Sequence, residues 1–161
     1  MQELLTQLAH YSGRFFGFFR LAPLSPLEQD DVRSILAPAE AELFWQLQPE
    51  DQRHSYEMAR RVRDRLPDDG VAVAASLLHD VGKRQSRLGP FSRSVATVLG
   101  HLGFPMTTAM RSYWDHGAVG ARDLEAIGSD PFVVAFAAGH GASGARGATD
   151  DRWDVLDAAD W

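Results

Sequence analysis

The sequence predicts an all-α fold, and three observations carry that prediction. Apolar residues recur at three- and four-residue spacing in most segments between the proline and glycine breaks. No stretch alternates apolar and polar residues as a half-buried strand would. One segment, Val71 to Leu78, is apolar on every face except at Ser76, so a helix there has to be buried on all sides. A chain of 161 residues can build one substantial core around such a helix. The expected organisation is a single domain over 1–161, with a helical N-terminal part over 1–48 and the main core over 49–161.

In chain order, Leu4, Leu5, Leu8, Phe15, Phe16 and Phe19 give a first amphipathic helix. Its aromatic face could serve as a lid, a homodimer face or a membrane-surface patch, and core packing is the reading we favour. Pro23 ends it. Ser25-Pro26-Leu27-Glu28 is a capping box that starts a short helix reaching Leu36. Pro38 starts another, through Leu43, Phe44 and Leu47. Pro49 opens the next, with Glu50 and Asp51 in the first turn where a helix favours negative charge. This helix puts His54 in line with Met58, Val62 and Leu66.

Pro67-Asp68-Asp69-Gly70 is a turn before the buried helix. Pro90 begins a segment with an apolar stripe of Val95, Val98, Leu99 and Leu102. Beyond Pro105 a helical region runs from about Thr107 to Ile127, with a break expected at Gly117 or Gly120. Asp130-Pro131 caps a buried helix over Phe132 to Gly139. Gly141 to Gly147 is a loop, and Asp150 or Asp151 caps a last helix ending at Trp161. No repeat or low-complexity block interrupts this order.

Composition narrows the chemistry. The hydrophobic fraction of 45% suits a folded chain, and the net charge of −6 argues against a general nucleic-acid surface. The absence of cysteine excludes disulfides, thiolate zinc sites and cysteine nucleophiles together. Any metal must then be held by histidine nitrogen and carboxylate oxygen, a donor set suited to iron, manganese, zinc or cobalt. No run is long enough to span a bilayer, and the N-terminus has no basic stretch before an apolar one, so a cytoplasmic location is expected.

Several ionisable residues fall where water is scarce. His79 and Asp80 end the buried helix, with Gly82 and Lys83 just beyond. Gly82 lets the backbone turn away or come close to a ligand. His54 lies on an apolar face, His116 aligns with Tyr113, Gly120 and Ile127, His140 follows Val133, Phe136 and Ala137, and Asp160 follows Trp153 and Leu156. A single inward histidine is more often a hydrogen-bonded core residue than a ligand. Four of them with two carboxylates are satisfied together by one shared metal centre, whereas separate burial needs a partner for each.

The stretch Leu77-Leu78-His79-Asp80-Val81-Gly82-Lys83 resembles the signature of the HD-domain superfamily, helical metal-dependent phosphohydrolases with adjacent His and Asp ligands. The segments His116-Gly-Ala-Val-Gly-Ala-Arg-Asp-Leu and Val155-Leu-Asp-Ala-Ala-Asp160 look like superfamily segments too, so the resemblance spans about Arg53 to Asp160. Phe44-Trp45-Gln46-Leu47 leading into Asp51-Gln52-Arg53-His54 is similar to a set of uncharacterised bacterial HD-domain proteins.

The resemblance implies one or two divalent ions, of the iron, manganese, zinc, cobalt, nickel or magnesium type. It places His54, His79 and Asp160 on one ion, Asp80 as the bridge, and His116 and His140 on a second. His101 competes with His116, and Asp157 or Asp154 with Asp160; His10 lies outside the matching region. His140 is followed by Gly141 where some two-metal relatives carry another histidine.

The implied activity is hydrolysis of a nucleotide or another small phosphate ester by a metal-activated hydroxide, with Lys83 contacting phosphate. Arg60, Arg84, Arg87 and Arg146 are candidate phosphate clamps, and each is also readable as ordinary surface. The alternatives are a mixed-valent di-iron HD-domain oxygenase and a non-catalytic metal- or ligand-binding protein. Neither nucleic acid nor membrane is expected as a partner; a homodimer is compatible with the sequence.

Overall fold

The structure, a computed structural model, describes residues 22–86, 88, 90–139 and 150–160. All regular structure among them is helical: α1 (Pro26–Ile35), α2 (Pro38–Trp45), α3 (Pro49–Arg65), α4 (Gly70–Leu78), a 3-10 turn (Val81–Gln85), α5 (Pro90–His101), α6 (Thr108–Trp114), α7 (His116–Ala126), α8 (Pro131–Gly139) and α9 (Arg152–Ala159). The first amphipathic helix expected from Leu4 to Phe19 lies outside the described residues.

The prolines start helices where their missing N–H costs nothing. At α1 the capping box is complete: Ser25 Oγ accepts from Glu28 N, and Glu28 Oε2 accepts from Ser25 N at 2.7 Å. Asp69 caps α4 by accepting from Ala72 N at 2.9 Å.

α4 is the axis of the fold. Every residue from Ala72 to Leu78 is buried, and Ser76 satisfies its hydroxyl by donating to Ala72 O one turn back. α4 packs on α3 and α8 and also touches α1, α2 and α9. α3 meets it with one face, on which Asp51, Ser55, Met58, Ala59 and Val62 are all buried. α9 returns against α3, and α7 lies across both α8 and the 3-10 turn. Phe44, Phe136, Met58, Leu77, Leu78, Leu124 and Leu156 fill the interior.

Three expectations change. The break in the Thr107–Ile127 region falls at Asp115 (φ −94°, ψ 14°), and Gly117 and Gly120 lie buried inside α7. Gly120 serves close packing instead of a turn, since a Cβ on it would stand 3.0 Å from Gly82 N. Val98 in α5 and Leu102 just beyond it are exposed; the inner face runs through Ala96 and Gly100, and Trp114 of α6 occupies the space a Cβ on Gly100 would need. Finally, α8 is buried along one face only, at Val133, Phe136 and Ala137.

Candidate metal centre

His79 and Asp80 stand where α4 gives way to the 3-10 turn. His79 keeps helical angles (φ −56°, ψ −31°), whereas Asp80 (φ −102°, ψ 6°) departs from them. That change turns the two neighbouring side chains towards one region, and both are almost completely buried. His79 Nε2 lies 3.3 Å from Asp80 Oδ2. On the other carboxylate oxygen, His116 Nε2 lies 3.3 Å from Oδ1.

The far side of each ring fixes its tautomer. His79 Nδ1 is 2.7 Å from Ser76 O, and His116 Nδ1 is 2.6 Å from Tyr113 O. A carbonyl oxygen only accepts, so both Nδ1 atoms carry a proton and donate. In the neutral rings both Nε2 lone pairs therefore face one carboxylate, an acceptor facing acceptors. Only positive charge between them, as protons or as a metal ion, makes this arrangement favourable. A backbone carbonyl holding the remote nitrogen is the usual support of a ligating imidazole.

α3 brings the third imidazole. His54 and His79 have ring centroids 5.6 Å apart, and one ligand atom from each of His54, His79 and Asp80 lies within 4.8 Å of the others. Asp160, the C-cap of α9, reaches the same place from the other end of the chain: its Oδ1 is 2.8 Å from His54 Nε2. Asp154 and Asp157 are exposed, so the carboxylate that α9 delivers here is Asp160. Two nitrogens and carboxylate oxygen at this spacing fit a divalent ion of the harder transition-metal or magnesium kind. His116 touches the cluster through Asp80.

Lys83 Nζ lies 2.5 Å from Asp80 Oδ2, and little of its side chain is exposed. Burial pushes the Asp80 carboxyl up, but His79, Lys83 and His116 outweigh it and hold the group well below the ordinary carboxylate range. Burial likewise disfavours the Lys83 ammonium. Asp80 foremost, then Tyr113 and Asp51, more than compensate and raise its pKa above the ordinary lysine value.

At Gly82 the backbone comes close to another segment of the chain. A Cβ on it would stand 1.9 Å from His116 O and 2.8 Å from Gly120 N. The 3-10 backbone thus presses directly on the first turns of α7, and this contact sets His116 over Asp80.

Asp51 was not among the residues singled out for the site. It is buried on the face of α3 that carries His54, one turn earlier, and its charge acts on Lys83. The three-residue spacing to His54 was the signal that it faces inward. Of the proposed phosphate clamps, Arg84 is spent on Asp123 (2.7 Å) and Val81 O, and Arg60 sits on the surface beside Glu57. His10, Arg87, His140, Arg146 and the His101 side chain lie outside the described residues. Comparison with protein families, with curated proteins and with solved structures gives no match.

Proposed function

We propose that this chain is an HD-type metal-dependent phosphohydrolase acting on a nucleotide or other small phosphate ester. The observation that carries the reading is the buried carboxylate of Asp80, flanked by two imidazoles whose remote nitrogens are tied to carbonyls. His54 and Asp160 complete the donor set of a first divalent ion. A second ion would use Asp80, His116 and His140. A bound divalent metal supplies a water that is acidic enough to ionise near neutral pH, together with charge stabilisation at phosphorus.

The chain's own residues have separate tasks. His54, His79, Asp80 and Asp160 bind and orient. Lys83 offers a permanent positive charge beside the donors, fixed by Asp80 and Asp51, where a phosphoryl oxygen can meet it. His116, held by Tyr113 O, presents Nε2 at the edge of the cluster.

The test is a panel of nucleotides and aryl phosphates incubated with manganese-loaded protein, with released phosphate or nucleoside monophosphate measured. Turnover of at least one member, abolished in Asp80→Asn, is the expected result. Metal retained with no turnover of any member would contradict the hydrolase reading and leave a binding protein.

A further inference from the structure

We propose that Arg61 is the positioning residue that holds Asp160 in the metal centre, an inference that rests on the metal reading above. α9 has only eight residues and stops at Ala159, and a helix that short holds its direction through tertiary contacts more than through its own hydrogen bonds. The Asp160 amide donates back to Leu156 O at 3.1 Å and to Asp157 O at 3.3 Å. Those bonds close the last turn but do not fix its direction relative to α3.

Arg61 does. It sits two turns after His54 on α3, hence on the same face, and its Nε donates to Ala159 O at 2.9 Å. That carbonyl belongs to the peptide plane joining Ala159 to Asp160, so holding it fixes where the Asp160 side chain departs. One helix therefore grips the last ligand twice: His54 takes its carboxylate at 2.8 Å, and Arg61 takes its main chain. Ala159, Leu156 and Trp153 are buried beneath, so α9 has an apolar seat, and the Arg61 bond selects its orientation there. Burial lowers the pKa of Arg61, and the charges of Glu57 and Asp160 act in the opposite sense, as expected for a guanidinium beside that carboxylate.

The experiment is a cobalt(II) titration of the full chain followed by its visible absorbance, on the parent and on Arg61→Met, Arg61→Lys, Asp160→Asn and Arg61→Met/Asp160→Asn. Circular dichroism and denaturant midpoints without metal serve as controls. Arg61→Met, which keeps the aliphatic stem, is expected to retain helical content and to bind cobalt about 10- to 100-fold more weakly. Arg61→Lys, which restores a charged donor, should recover part of that loss. The double variant should bind no more weakly than Asp160→Asn, because Arg61 acts through Asp160.

Parent-like affinity in Arg61→Met, or additive losses in the double variant, would overturn the proposal. Should Arg61→Met fail to fold, Arg61→Lys decides: weaker cobalt binding with an unchanged midpoint supports the proposal, and parent-like binding overturns it. A parent that binds no cobalt would overturn the metal reading itself, an outcome distinct from the failure of Arg61 alone.

Discussion

Asp80 and Lys83 form a buried ion pair, and removing one partner from such a pair costs about 3–5 kcal/mol, because the other charge is left uncompensated. Asp80→Ala is therefore expected to lower stability by about that amount, read from denaturant midpoints, and to abolish metal binding. Lys83→Met behaves differently. It keeps the stem, and a bound metal ion would supply the positive charge that Asp80 loses. Metal content should stay at the parent level while kcat/KM for a phosphate ester falls by about thirtyfold to a thousandfold, or about 2–4 kcal/mol. Unchanged kcat/KM would make Lys83 a counter-ion to Asp80 and nothing more. The local residues of this site were legible, since His79, Asp80 and Lys83 follow a buried helix directly. Asp51 was not, because its place in the first turn of α3 already had a sufficient local explanation in the helix dipole.

Helix starts were readable for a physical reason: proline and the Ser25 capping box act within a few residues. The break at Asp115 was hidden because it depends on what α7 packs against. Gly82 and Gly120 touch across the 3-10 turn and α7, a contact between segments far apart in the chain. Gly82→Ala should therefore cost about 1–3 kcal/mol by overpacking and weaken metal binding by moving His116. Gly120→Ala, whose Cβ would meet nothing closer than 3.0 Å, should cost less. Equal midpoints for both variants would contradict the close-contact account.

α1 is clasped to α3 by Arg53, which meets both carboxylate oxygens of Glu28 at 2.7 and 2.8 Å. The Arg53 hydrogen bond, with the Ser25 amide, lowers the Glu28 pKa from 4.5 to about 2. Because the folded value lies below the unfolded one, the clasp stabilises above pH 4.5 and its contribution is lost as pH falls towards 2. The stability difference between the parent and Glu28→Gln should thus shrink across that window; a difference independent of pH would remove Glu28 from the account.

At the scale of the molecule, the candidate centre joins α3, the α4 end and the residue that caps α9, and His54 and Asp160 are 106 positions apart in sequence. The all-α class was legible from periodicity, while the meeting of these helices was legible only as a shared inward placement of ionisable groups. No helix among the described residues is long and apolar enough to cross a membrane. An ion bound across three helices stabilises the folded state alone, so saturating metal at about 100 times Kd should add about 2.7 kcal/mol to unfolding stability. The most direct measurement is equilibrium dialysis of the full chain against manganese(II), with bound metal counted for the parent and Asp80→Asn. The account predicts at least one equivalent on the parent and none on folded Asp80→Asn. A parent that retains no metal, or an Asp80→Asn variant that retains as much as the parent, would contradict it.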